Sequence, residues 1–282
     1  AAAAAREAGA PLHLIMHDDW PRVANVPSQF RSWLDRRFEK VYRQASSRMC
    51  VSPFMRTDYL TRYGCDAEVL YPSRAKECPN FEAVPSKVKR EDTALTVAFA
   101  GTINSEGYVR SLRKLSESLS KINGRLLMFG PISHAQARQN GLDGPNVVLG
   151  GLLSSSDLIV RLRNEADLLF VPMSFSESER SNMEMAFPSK LADYTATGLP
   201  LLIYGPRYCS AVRWANENPG VAEVVTVEDQ TALTAAIRRL TSATTRITLA
   251  QRAVEVGQTF FSHAAAQRTF YAALSCPKNS LD

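Results

Sequence analysis

Short apolar runs closed by glycine or proline alternate with stretches of helical spacing along most of this chain. The first run, LHLIM, reads as a strand and delivers His17-Asp18-Asp19-Trp20 into a loop at its carboxyl end. From Phe30 to Ala45, apolar Phe30, Trp33, Leu34, Phe38, Val41 and Ala45 recur at helical spacing, with Arg31, Arg36, Arg37, Lys40 and Arg43 on the remaining surface. RMCVS then reads as a strand, Pro53 opens a helix reaching Tyr63, and AEVLYP reads as another strand. Ser73 to Asp92 is charged, carries two prolines and lacks an apolar period, so it reads as a connection between two units.

The rhythm restarts at Leu95. LTVAFAG, RLLMFGP and NVVLG read as strands, separated by helices within Gly107–Ile122 and around His134–Gln139, and followed by a helix over Ser155–Arg163. The run Leu168–Val171 is closed by Pro172 and leads into a long loop read as irregular. Ser189 then reads as the cap of a helix from Lys190 to near Thr197, which Gly198 stops before the strand Leu199–Tyr204. Beyond Gly205-Pro206 come a helix around Ser210–Glu217, the strand VAEVV, a helix over Thr231–Leu240, a long helix to near Phe260 and a last one ending near Leu274. Such alternation predicts an α/β fold with a doubly wound parallel sheet. The opening alanine run is uninformative and carries no weight.

Length and composition change this picture little. A chain of 282 residues can bury the cores of one large or two modest domains, and 45% hydrophobic with 22% charged residues is ordinary for a globular protein. No apolar run approaches the ~20 residues of a membrane span. The net charge of +5 and a pI near 9.0 suit phosphate-bearing ligands or an anionic membrane surface without choosing between them. Cys50, Cys65, Cys78, Cys209 and Cys276 are odd in number and contain no C-x-x-C pair, which predicts reduced thiols in a cytoplasmic setting and argues against a zinc site.

Candidate chemistry gathers where the loop before Lys190 opens at the carboxyl edge of the predicted sheet. A cation in the first turn of a helix opposes the macrodipole by roughly 0.3–1 kcal/mol, and a bound phosphate reverses that sign. Asp193, one turn on, is placed to accept from ribose hydroxyls. A plain surface lysine and a dipole-friendly aspartate account for the same residues. Glycines close three strands, Gly101, Gly130 and Gly150-Gly151, where backbone can approach a ligand. They do not form G-x-G-x-x-G, which disfavours a nicotinamide dehydrogenase.

The stretch FPSKLADYTATGLPLLIYGP resembles the donor-binding signature P-x-K-x-x-E-Y-x-A-x-G-x-P of retaining GT-B glycosyltransferases of the sucrose-synthase and mannosyltransferase-like group. The resemblance implies a Rossmann-like donor domain over residues 94–262 and a partial N-terminal Rossmann-like domain, lacking its earlier strands, over residues 1–72. Residues 73–93 would be the linker, and 263–282 a closing helix that crosses back to the first domain. It implies Lys190 as the diphosphate contact at a helix start with Ser189 and Leu191, and Asp193, in place of the usual glutamate, as the ribose contact. It also implies phosphate contacts at Gly101-Thr102 and base contacts at Gly130-Pro131 and at Leu152 and Leu153. His17 would reach the donor sugar, which makes His17, Glu184 and Lys190 the implied catalytic set.

Two departures from the pattern stand out. Thr102 replaces the usual arginine with no lysine close behind, so Arg110 or Arg207 would have to supply a second cation. Met185 stands where a glutamate is usual, with Glu184 one residue out of register and Glu177 and Glu179 reading as a solvated acidic loop. The implied activity is transfer of a sugar from a nucleoside-diphosphate sugar to a glycan, lipid or small-molecule acceptor, retaining, without a metal and without a permanently bound cofactor. A sugar-nucleotide epimerase on this fold and a non-catalytic nucleotide-sugar-binding scaffold stay open. Nucleic acid is not an expected partner. The helix Phe30–Ala45 suits either solvation on its own domain or contact with anionic lipid at the inner membrane face.

Overall fold

The computed structural model describes residues 2–91 and 94–275; Cys276 and the other closing residues lie outside the described part. After a short helix α1 (Ala2–Glu7), strands β1 (His13–Met16), β2 (Ser47–Cys50) and β3 (Glu68–Val69) pair in parallel in the order β1-β2-β3. Helices α2 (Trp20–Val23) and α3 (Ser28–Gln44) connect the first two strands, and α4 (Pro53–Tyr63) connects the next. The sequence marks the ends of α4: Ser52 Oγ accepts from Met55 N–H at 3.1 Å, and Gly64 closes it in the left-handed conformation at φ 67°. Phe38 and Tyr42 of α3 pack on Tyr59 and Tyr63 of α4 with ring centroids 5.2 to 5.7 Å apart. AEVLYP yields only the two-residue β3, because beyond Leu70 the chain turns to pack Tyr71 against Phe187, Phe260 and Phe261.

The second sheet contains β4 (Thr96–Ala100), β5 (Arg125–Phe129), β6 (Val147–Gly151), β7 (Leu168–Pro172), β8 (Leu201–Tyr204) and β9 (Glu223–Val225), all parallel in the order β6-β5-β4-β7-β8-β9. Its central strands are buried on both faces, as parallel strands between helix layers must be. Alternate residues divide between two cores. Ala98, Leu127, Phe129, Leu169, Val171 and Ile203 face one, while Val97, Phe99, Met128, Phe170, Leu202 and Tyr204 face the other. Around the sheet lie α5 (Glu106–Ser120), α6 (His134–Gln139), α7 (Ser155–Glu165), α8 (Arg180–Met185), α9 (Lys190–Tyr194), α10 (Ser210–Glu217), α11 (Gln230–Arg239) and α12 (Ala243–Phe261). The strand order reverses between β4 and β7, the position at which open α/β sheets leave a crevice at their carboxyl edge.

Residues 73–91 lie along the second unit. The buried Arg74 guanidinium donates to Ala192 O at 2.8 Å and Gly257 O at 3.4 Å, Phe81 N–H to Ala196 O at 2.8 Å, and Arg163 to Ala83 O at 2.9 Å. A single 3-10 turn, Ser86–Lys89, buries Val88. Helix α13 (His263–Ser275) follows α12 after a break at Ser262 and packs on β2 and β3. The two units also meet where Ser52 Oγ donates to Met185 O at 2.9 Å and the Arg213 guanidinium stands 3.8 Å over the Phe54 ring. Among the described residues no helix is long and apolar enough to cross a membrane.

Two local expectations need correction. The loop between β7 and α9 is not irregular: a 3-10 turn at Glu177–Glu179 leads directly into α8, which has no side-chain cap and whose Met183 and Met185 point into the core. Ser189 does not cap α9. It is itself helical at φ −56°, ψ −28°, because the turn already starts at Pro188, whose carbonyl accepts from Leu191 N–H at 3.1 Å. α9 ends at Tyr194, earlier than expected, where the hydroxyls of Thr195 and Thr197 bond back to Leu191 O at 2.8 Å and Tyr194 O at 2.7 Å.

Candidate functional site

The site is built outward from the end of β4. Ala100 N–H donates to the Tyr194 hydroxyl at 2.6 Å, so the tyrosine of α9 fixes where β4 stops. Gly101 follows at φ 139°, a conformation that favours glycine, and its N–H donates to Phe129 O at 2.9 Å. Behind it, a methyl group at Gly130 would stand 2.4 Å from Gly101 O, so Gly130 is glycine to let two backbone turns touch.

In front of this turn a cavity of about 350 Å³ opens. Gly101 and Thr102 supply it from the β4 end, Met173 from just beyond β7, and Ser189, Lys190 and Asp193 from α9 and its lead-in. Asn104 and Tyr108 line it from the start of α5, and Asn182 and Phe187 from α8 and the turn after it. It occupies the reversal point of the strand order.

Lys190 is the single cation among the described lining residues. Its Nζ lies 4.3 Å from the Phe99 ring centroid and 5.4 Å from that of Tyr108, and 3.5 Å from where a Gly101 side chain would begin. Part of the side chain faces the open cavity, yet the amine end is crowded by ring and backbone, and this burial pushes its pKa down to about 7. No carboxylate reaches it among the described residues. A cation held by aromatic faces and unmatched by an anion is a ready receptor for one. Asp193, half-buried, has its pKa raised by burial, an effect opposed by the nearby Arg74 guanidinium.

Gly101, Thr102, Ser189, Lys190 and Asp193 thus line one cavity, and the other expected contacts lie outside its lining. Gly130 serves backbone packing and Pro131 is exposed outside the cavity. Leu152 is 73% exposed at the end of β6, two strands from the cavity, while Leu153 packs against the core. Leu191 is wholly buried, since the apolar face of α9 turns inward. Glu184 lies outside the lining, its carboxylate taken by Arg180 Nε at 2.9 Å, and Met185 is buried. Arg110 is paired with Glu228 at 3.4 Å, and Arg207 lies outside the lining.

His17 lines a second cavity with Ile15, Tyr71, His263 and Phe270, backed onto the first through the Tyr71–Phe187 ring contact of 4.9 Å. In its loop the buried group is Asp19, held by Arg62 at 3.0 Å, Arg22 at 3.3 Å and the Tyr59 hydroxyl at 3.1 Å. Asn104, Tyr108, Asn182 and Phe187 were not legible as site residues. The sequence signal for Tyr108 is Ser105, whose Oγ caps α5 by accepting from Tyr108 N–H at 3.5 Å and so sets Tyr108 beside the turn. Among the described residues no group of three or more His, Cys, Asp or Glu side chains converges on a metal position.

No family model matches the chain, and no curated protein matches it in sequence. Solved structures do match it. HepE of Anabaena in complex with UDP and glucose superposes at a TM-score of 0.70 and 16% identity, over 97% of this chain and 74% of that one. This is a GT-B fold. The E. coli trehalose-6-phosphate structure bound with UDP-2-fluoro glucose has a TM-score of 0.68 at 14% identity, covering 98% of this chain and 71% of that one. Sucrose-phosphate synthase from Thermosynechococcus elongatus has a TM-score of 0.64 at 16% identity, covering 93% of this chain and 67% of that one. At such identities the likeness establishes the GT-B architecture and leaves the chemistry to be argued from the site.

Proposed function

We propose that this protein is a glycosyltransferase that moves a sugar from a nucleoside-diphosphate sugar to a hydroxyl-bearing acceptor, a glycan, a lipid or a small molecule. The observation that carries the reading is the Lys190 amine, over the Phe99 ring and beside the Gly101 turn, in the cavity where the strand order reverses. Breaking the bond between the anomeric carbon and the diphosphate leaves charge on the phosphate oxygen, and the Lys190 ammonium would stabilise that charge. Asp193 would accept from the ribose hydroxyls. Structures similar in fold hold UDP with glucose, UDP-glucose and UDP-2-fluoro glucose, which supports a nucleotide-sugar donor. In this reading Lys190 takes the part of a metal ion, and transfer proceeds with retention. The thiols of Cys50, Cys65, Cys78 and Cys209 are free, in keeping with a cytoplasmic setting.

Calorimetric titration with UDP-glucose, GDP-mannose and ADP-glucose tests the donor site. At least one should bind saturably, and Lys190→Ala should weaken it by about tenfold or more, since a charge-assisted contact to phosphate is lost. Binding by none of the three, or equal binding by the variant, defeats the proposal. A second reading, nucleotide-sugar binding without transfer, is favoured by His17 lining a cavity other than that of Lys190 and by Glu184 being held by Arg180. Release of free nucleoside diphosphate from a donor that binds separates the two readings.

A further inference from the structure

The α2–α3 face turns large apolar side chains outward. Trp20 is 53% exposed, Val23 42%, Phe30 51% and Trp33 51%. On α3 the residues Phe30, Trp33, Arg37 and Lys40 fall at spacings of three and four, so aromatic rings and cations share one outward stripe while Phe38 and Tyr42 face the core. The Arg37 guanidinium lies 5.5 Å from the Trp33 ring centroid, which places a cation beside the apolar surface.

The charges around this stripe are unbalanced. Asp35 is taken by Arg62 at 2.6 Å and Glu39 by Arg43 at 2.9 Å. Among the described residues no carboxylate pairs with Arg31, Arg36, Arg37 or Lys40, all of them exposed. Two tryptophans and a phenylalanine flanked by unmatched arginines suit the boundary between water and an anionic bilayer: the rings occupy the headgroup level and the cations meet lipid phosphate. We propose that the α2–α3 face docks on a bilayer bearing anionic headgroups. Trp20 and Val23 extend the contact beyond the helix that the sequence alone suggested, and the inference is independent of the donor site.

The natural fluorophores provide the test. The chain has three tryptophans, and Trp214 is fully buried, so a change in emission on docking reports Trp20 and Trp33. Vesicles of phosphatidylcholine mixed with phosphatidylglycerol should shift the emission to the blue and sediment the protein, and high salt should reverse both; pure phosphatidylcholine should do neither. Arg36→Glu with Arg37→Glu should lower partitioning at least about tenfold. Phe30→Ser with Trp33→Ser should lower it comparably while leaving thermal unfolding unchanged, because both side chains are half exposed. No shift with anionic vesicles, equal binding to neutral ones, or binding unaltered in both variants overturns the proposal. So does a concentration-dependent dimer abolished by the Phe30→Ser and Trp33→Ser pair, which would make the face a self-contact.

Discussion

At the residue scale, the chemistry turns on one proton. With its pKa pushed down to about 7 by burial, Lys190 is only partly charged at neutral pH in the ligand-free protein, and a diphosphate in the cavity would draw its pKa back up. The charged form binds the anion, so affinity for a nucleoside-diphosphate sugar is expected to be flat below pH 7 and to fall by up to about tenfold per pH unit above it. Binding at pH 8 should then take up a proton. The heat of binding measured in Tris and in HEPES should differ by the difference in buffer ionisation heats, and Lys190→Arg should abolish that difference. Equal heats in the two buffers would mean that Lys190 is fully charged before the ligand arrives. For stability the sign is opposite. The unfolded lysine keeps its proton to about pH 10.5, so burial of the charged form opposes folding most strongly below pH 7, and that opposition fades as pH rises from 7 toward 10.5.

At the element scale, the position of Lys190 depends on how α9 is held. Tyr194 ties one side of it to the end of β4, and α12 presses on the other at Gly257. A side chain at Gly257 would meet Thr195 Cβ and Oγ1 at 2.3 Å. Alanine normally favours a helix over glycine by about 1 kcal/mol. Here the contact reaches Cβ itself, which no rotamer change can relieve, so overpacking of about 1–3 kcal/mol beyond that gain should win. Gly257→Ala is therefore expected to lower the thermal midpoint by several degrees, and an unchanged or raised midpoint would show that α9 moves freely. The same elements show what was legible in advance. Apolar runs ending in Gly101, Gly130 and Pro172 located the central strands, because a parallel strand buried on both faces writes itself as an unbroken apolar run. Lys190 and Asp193 followed from their place after such a strand. Helix α8 was hidden, since six residues with two inward methionines show no period, and with it went Asn182. The resemblance alone put Leu152 and Leu153 at the base, and they follow β6 at the edge of the sheet, outside the lining of the Lys190 cavity; strand order is not written in any local pattern.

At the scale of the whole molecule, one residue of the connecting segment bonds to both α9 and α12. Arg74 is 4% exposed, donates to Ala192 O on α9 and Gly257 O on α12, and lies close enough to Asp193 for their charges to interact. Its own N–H donates to Phe261 O at 3.1 Å, where α12 gives way to the helix that reaches the first sheet. Burial works against the guanidinium charge, with Asp193 as its main compensation. Removing the side chain takes one donor from two buried carbonyls and leaves Asp193 without its cation, so Arg74→Ala should cost about 2–4 kcal/mol in urea unfolding. Arg74→Met, which fills the space but donates no hydrogen bond, should recover part of the packing and none of the electrostatics. The two variants should therefore differ in midpoint while sharing a donor affinity weaker than wild type, because in both α9 loses the guanidinium that holds Ala192 O beside Lys190 and Asp193. Should Arg74→Met bind a nucleotide sugar as the wild-type chain does, Arg74 would be a strut between segments with no bearing on the cavity.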